Sequence, residues 1–373
     1  MKLVITLDAI KDAFKKIGTL YAKDGRGITD KNVKITVSNH TATFSAGGRF
    51  SGLKTIVQDV DGTEDGEIIV KFDILNKIIA NAKKNIERID FNTNGNVVKV
   101  GVGSSEFSVP TCEDVSIIDL DITGAKRQYD LPADKFCLYA DAVSRFADPA
   151  AGQVIFSGVY IKPDGENINV VATDTRCMGW GRIPHNNANQ PGDGVIIQQN
   201  QIQAATDIFE SCQSENGLIT LYVINDQKAI FADGKTFYAV GLLCGTYPRY
   251  ETIFEKKGYF SVTYDTDEIQ ESLEQTRIVT NNEYRGVMFT FTEDGRLTLD
   301  ASSPEAGAAV VNLFNETTTA GRVKLDCNLI LKAIVAAGTD KVQLLIPDKN
   351  NNPVVINPEE PLKIAVMPLS QGR

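Results

Sequence analysis

Apolar residues along this chain switch between two spacings, and the switch itself recurs. From Asp265 to Thr280 they fall three and four apart, placing Ile269, Leu273 and Thr276 on one helical face. From Arg285 to Thr292 they fall two apart, with Val287, Phe289 and Phe291 on one side of a half-buried strand. Glu293, Asp294 and Gly295 then predict a hairpin turn, because glycine tolerates the positive φ such turns need. Further strands are predicted at Arg296 to Ala301 and Ala308 to Phe314. The unit is helix, strand, turn, strand, strand.

The helical part of that unit returns along the whole chain. Stripes fall at Leu7, Ile10, Phe14 and Ile17, at Phe72, Leu75, Ile78, Ile79 and Ala82, and at Phe136, Tyr139, Val143 and Phe146. Ile202, Ala205, Phe209 and Cys212 make a fourth, the segment after Asp265 a fifth, and Leu329, Ala333, Ile334 and Ala337 a sixth. Starts near residues 7, 72, 132, 199, 265 and 326 give a period of roughly 60 to 67 residues, the mark of an internal repeat.

Between the helices, strands are predicted at Lys2 to Thr6, around Val33, Ile35 and Val37, and at Ile68 to Val70, Ile86 to Phe91, Val97 to Val102 and Glu106 to Val109. Others are predicted at Tyr129 to Leu131, Ile155 to Ile161, Ile168 to Thr173, Gly217 to Val223, Lys228 to Ala232 and Thr236 to Leu242. The Asp-, Thr- and Gly-rich loop Cys112 to Lys126 marks a boundary, and Pro184 to Gly194 is hinge-like. The expected division is three domains, 1–127, 128–256 and 257–373, each an internal duplication of two helices on antiparallel strands. That is an α+β fold with helices covering the apolar face of each sheet. If the half-units continue round in one sense, sheets line an outer wall and helices an inner one. A head-to-tail contact that closes would make a ring.

Composition adds few constraints. With 373 residues, 42% hydrophobic and 23% charged, the chain is in the ordinary globular range. No apolar run approaches the roughly 18 residues of a membrane span. The N-terminus, Met1 to Thr6, has no signal-peptide pattern, so the expected location is the cytoplasm, away from membranes. Six scattered cysteines without a C-x-x-C pair predict reduced thiols rather than a metal site.

Catalytic signals are weak. His40 and His185 both lie in turn-like contexts, and Asp174 has no companion His or carboxylate at ligand spacing. Gly101 to Gly103 lacks the helix and lysine of a phosphate loop. No catalytic residue, cofactor or metal is expected. Two other classes remain open at this point: a repetitive β-rich binding protein unconnected with DNA, and an enzyme built on Asp174.

The net charge of −10 argues against nucleic acid, but its distribution is uneven. Lys11, Lys15, Lys16, Lys23 and Arg26 cluster in and after the first helix, and Lys71, Lys77, Lys83, Lys84 and Arg88 around the second. Asp207, Glu210 and Glu215 accompany the fourth helix, and Asp267, Glu268, Glu271 and Glu274 the fifth. A solvated helix face is the commoner source of such runs.

Four stretches carry a family resemblance: Phe156 to Val159 leading to Val170 to Asp174, Gly245 to Tyr250, Asn282 to Val287, and Val366 to Leu369. Occurring in this order on a sixfold repeat, they make the chain similar, over essentially its whole length, to the bacterial replicative sliding clamps, the beta subunits of DNA polymerase III. The resemblance implies the DNA clamp fold and a head-to-tail homodimer closed into a six-domain ring around duplex DNA. It implies a non-catalytic processivity factor whose partners are the replicative DNA polymerase, a clamp loader and other proteins bearing clamp-binding peptides. The hold on DNA would be topological, with sequence-blind phosphate attraction from Lys11, Lys15, Arg26, Lys77 and Lys84.

The resemblance also places a hydrophobic peptide pocket between the second and third domains. Its positions here are Phe156, Thr173, Thr175, Met178, Pro248, Ile253, Val354, Val366, Met367, Pro368 and Leu369. The dimer contact would join Phe107 and Val109 of one chain to Ile278 and Val279 of the other. Singly, each pocket position is more commonly ordinary core, and each dimer-contact position is equally an ordinary core position; the pocket is favoured by the set taken together. The chain departs from the family pattern at Thr175-Arg176-Cys177-Met178, in the tail Ser370 to Arg373, and in its acidic fourth and fifth helices. These departures bear on peptide preference and on the strength of DNA attraction.

Overall fold

The computed structural model describes residues 1–24, 31–48, 50–113, 117–185, 192–212, 214–255, 258–315, 319–348 and 351–370. All six predicted helices are present: α1 Leu7–Asp24, α2 Phe72–Ala80, α3 Ala133–Ser144, α4 Gln199–Phe209, α5 Thr266–Arg277 and α6 Cys327–Ala337. Their apolar stripes are the reason. Leu7, Ile10, Phe14 and Ile17 of α1 are all buried, as are Ile269, Leu273 and Thr276 of α5. Aspartates start two of them. Asp265 accepts from the amides of Asp267 and Glu268, and Asp326 from those of Asn328 and Leu329, satisfying donors that a helix start leaves free. Gly338, in the left-handed region at φ 62°, ends α6.

The residues group into two compact units, 1–138 with 163–166 and 184–243, and 139–162 with 167–183 and 244–373. In the first unit a five-stranded antiparallel sheet runs in the order Asp61–Glu64, Lys2–Thr6, Arg88–Asn94, Val97–Val102, Ser105–Pro110. A longer sheet runs Arg127–Pro132, Leu218–Asn225, Lys228–Ala232, Thr236–Leu243, Ser51–Val57, Thr41–Gly47, Asn32–Ser38, Gly66–Lys71. Thr236 pairs with Thr55 and Val240 with Ser51, so strands from the first and middle thirds of the chain share this sheet. Helix α1 packs beside α4. At the strand junction, buried Lys16 donates to the Thr236 hydroxyl at 3.2 Å and pairs with Asp12 at 2.9 Å, which settles the charge that burial would otherwise strand.

The second unit has one sheet in the order Tyr259–Asp265, Lys341–Pro347, Val354–Ile356, Leu362–Val366, Cys177–Pro184, Asn167–Thr173, Gly158–Asp164. Its four-stranded sheet runs Gly307–Phe314, Arg296–Ser303, Gly286–Phe291, Gly321–Asp326. The predicted turn closes its first hairpin, with Gly295 at φ 82° and the Thr292 amide donating to the Arg296 carbonyl at 3.0 Å. Helix α5 packs beside α6.

Several strands differ from expectation. Cys177–Pro184 was not predicted, and its glycines explain why. A Cβ on Gly179 would lie 2.7 Å from the Phe146 ring, and one on Gly181 would lie 3.0 Å from Tyr139 Cβ, so α3 lies where only glycine fits. The predicted strand at Ile155 instead starts with a 3-10 turn, Val154–Ser157, and becomes extended at Gly158. Thr41–Gly47 and Ser51–Val57 are further strands that were not predicted; in the first, Ala42, Phe44 and Ala46 are the buried alternate positions, two of them too small to mark the period strongly. Of the hinge-like segment, 186–191 lie outside the described residues. All six cysteines are free thiols, and among the described residues no helix is long and apolar enough to cross a membrane.

Candidate functional site

A tight turn in the second unit organises one end of its larger sheet. Thr173, buried, donates its hydroxyl to the Cys177 carbonyl at 2.7 Å and accepts from the Thr175 amide at 3.0 Å. Asp174 accepts from the amides of Arg176 and Cys177 at 2.9 and 2.7 Å. Thr175 takes a φ of 73°, a conformation that a side chain adopts only where the surroundings enforce it. Asp174 therefore acts as a turn former, its Oδ1 occupied by backbone donors. Burial pushes the Cys177 thiol up to about 12, so it stays protonated at neutral pH.

The turn feeds the strand carrying Met178, which pairs with the strand leading to the last described residues. Cys177 lies opposite Val366, and Val366 opposite Val354. Pairing continues one step further, the Met367 amide donating to the Arg176 carbonyl at 2.8 Å. The Leu369 amide then donates to the Lys324 carbonyl at 2.8 Å. Met367 is thus held by its backbone while its side chain is 38% exposed. Leu369 lies over Gly286, where a Cβ would come within 3.2 Å of Leu369 Cδ1 and 2.5 Å of Lys324 Cε.

The expected peptide-site residues all fall in this unit, at different depths. Thr173, Met178, Val354 and Val366 are buried; Phe156, Ile253, Pro368 and Leu369 are half-buried; Thr175, Pro248 and Met367 are exposed. Phe156 meets Tyr247 edge-on at 6.5 Å, and Tyr247 stacks on Tyr160 at 4.7 Å. Trp180, two residues beyond Met178, contacts Tyr250 and Phe254 at 5.2 and 5.3 Å.

Sequence reasoning missed Asp326. Besides capping α6, its other oxygen lies 3.0 Å from Arg285 Nε and 3.7 Å from Arg176 Nη1, with the carboxylate side chain only 5% exposed. One carboxylate thereby ties the start of α6, the strand at Gly286 and the Thr173 to Cys177 turn. Its role as helix cap was legible from position; its ion pair with Arg176, 150 residues away, was not. Asp326→Ala is expected to lower stability by about 2 kcal/mol, part cap and part stranded guanidinium. Asp326→Asn, which retains a capping side chain, should recover about half of that loss. Urea midpoints check this, and equal midpoints for the two variants would contradict the division.

The expected phosphate-facing cations are placed as follows. Lys11 is exposed on α1 and Lys77 on α2, while Lys84 is exposed four residues past the end of α2. Arg26 lies outside the described residues. Lys15 stands 4.0 Å from Glu210, and Lys23 stands 3.5 Å from Asp207, so α4 carboxylates answer α1 lysines within the first unit.

Each unit also presents an apolar edge. In the first, Ser105–Pro110 is the outermost strand of its sheet, with Phe107 41% exposed and Val109 turned inward at 2%. Phe107 lines a cleft of about 560 Å³ with Lys77, Ile78, Ile86 and Gly103. In the second, Gly307–Phe314 is outermost, with Val310 and Phe314 60% and 64% exposed. Just past α5, Ile278 is 76% exposed and Val279 is buried. Phe107 and Ile278 are therefore surface groups, and Val109 and Val279 serve their own cores.

No family model matches the chain. It is 21% identical to the beta sliding clamp of Pseudomonas aeruginosa over 297 residues, 79% of each chain. It is 24% identical to that of a Synechocystis species over 229 residues, 58% of each. Among solved structures, a DNA polymerase sliding clamp from Bacillus subtilis superposes with a TM-score of 0.87 over 100% of both chains at 13% identity. The chain has the sliding-clamp fold.

Proposed function

We propose that this chain, a relative of the bacterial beta sliding clamps with their fold along its full length, is itself a replicative sliding clamp. The carrying observation is that full-length correspondence of fold, since a ring-forming architecture leaves little room for a different use of the same surfaces. In this reading the three domains are 1–127, 128–256 and 257–373. Two chains join head to tail, and the ring encircles duplex DNA in the cytoplasm without performing catalysis.

The two exposed edge strands support the assembly. Ser105–Pro110 of one chain and Gly307–Phe314 of the other would complete each other's sheets, with Ile278 entering the cleft beside Phe107. Both edges need covering, and one contact repeated twice covers all four.

Retention then needs no tight binding. Lys11, Lys77 and Lys84 would attract phosphates without reading bases, and the ring would do the holding. The segment Met367 to Leu369 would receive a short extended peptide from the polymerase or loader. Exposed Met367, half-buried Leu369, Phe156 and Ile253 would contact it, over a floor of Met178, Val354 and Val366.

Loaded protein is expected to remain on nicked circular DNA and to leave once that DNA is cut to a linear form. Gel filtration of the two samples checks this. Equal retention on both would overturn the tethering mechanism.

A further inference from the structure

We infer that the peptide site continues past Leu369 into a cationic cleft that takes acidic residues flanking the partner's apolar anchors, an inference that rests on the clamp reading above. The cleft, about 540 Å³, is walled by Arg285, Gly286, Met288, Arg322 and Lys324, with Leu369 at its rim. Lys324 lies opposite Met288 and Arg322 opposite Thr290, so both point out from one face of the four-stranded sheet. Because residue 286 has no Cβ, the Lys324 chain can lie across it, its Cε in the space a side chain would fill, against Leu369. That position sets an ammonium beside the apolar anchor site.

The cations here exceed what neutralises them. Arg176 and Arg285 share the single carboxylate of Asp326, which also caps α6. Glu283 and Asp300 line the same cleft. Asp300 is opposite Met288 on the side away from Lys324, so two strand spacings, about 10 Å, separate their backbones. Neither Asp300 nor Glu283 forms an ion pair with Arg322 or Lys324 among the described residues. A carboxylate on a docked peptide could approach Lys324 and Arg322 directly. The interaction would sharpen selection among partners more than it would raise affinity.

The test uses two synthetic peptides with the same Leu and Phe anchors, one flanked on both sides by Glu and the other by Gln. Fluorescence anisotropy measures each against the full chain and against the double variant Arg322→Gln, Lys324→Gln. The Glu peptide is expected to bind the natural chain about fivefold tighter at low salt, an advantage that shrinks as salt rises. In the variant the two peptides should bind alike, with the Gln peptide unchanged. Equal binding to the natural chain, or a preference that survives in the variant, overturns the cleft assignment alone. Binding of neither peptide overturns the peptide site and the cleft together.

Discussion

With Met367 and Leu369 both replaced by alanine, the protein is expected to keep its fold and the proposed dimer, and to bind the proposed partner peptides about tenfold more weakly. The size follows from what each side chain still has to bury. Met367 is 38% exposed and Leu369 half-buried, so a docked peptide would cover the remaining apolar surface of both. Full burial of such a side chain is worth roughly 1.5–3 kcal/mol, and the uncovered share of two gives about 1.4 kcal/mol, close to one decade in affinity. The fold should be indifferent, because backbone bonds to Arg176 and Lys324 hold this segment and survive truncation. Anisotropy with a labelled peptide measures the loss. The near-ultraviolet signal of Trp180, set against Tyr250 and Phe254, reports on the fold. Undiminished affinity in a folded variant would remove the peptide site from this surface.

If two chains pair as proposed, Ile278→Asp is expected to leave the protein a monomer at micromolar concentration. Ile278 is 76% exposed, more than any other large apolar residue on the described surface, and nothing in its own unit needs it there. A closed ring of two chains contains the same contact twice, so every substitution in it counts twice. If an aspartate in place of the isoleucine costs about 2 kcal/mol per contact, the ring loses about 4 kcal/mol, roughly a thousandfold in dissociation constant. Sedimentation velocity across a dilution series decides the matter. A dimer of unchanged strength would show that chains do not meet through this residue. Phe107→Asp, changed on the opposite edge, should reproduce the effect.

The repeat was legible because helices in this fold are two-faced. All six stripes were long enough to betray the 3.6-residue period, and all six helices begin within one residue of the predicted starts. Strands were legible where one face is wet, as at Val287, Phe289 and Phe291. They were missed where packing overrides propensity, and Cys177–Pro184 shows how: a strand containing Gly179 and Gly181 has little intrinsic preference for extension, and only the approach of α3 accounts for it. The candidate site split in the same way. Met367 and Leu369 were marked by the family resemblance. Asp326 was not marked, because its partners come from distant parts of the chain. Lys15 illustrates the converse: sequence marks it as a basic residue, whereas Glu210, nearly two hundred residues on, stands 4.0 Å from it.

That pairing bears on how the ring would travel. A passing phosphate that gripped Lys15 or Lys23 would have to compete with Glu210 or Asp207, which are already in place. The walls of the bore would therefore be slippery: few grips form with the duplex, and few must break at each step. Movement would be resisted mainly by water, like a loose washer on a threaded rod, with the mobility set by the bulk of whatever the ring is towing.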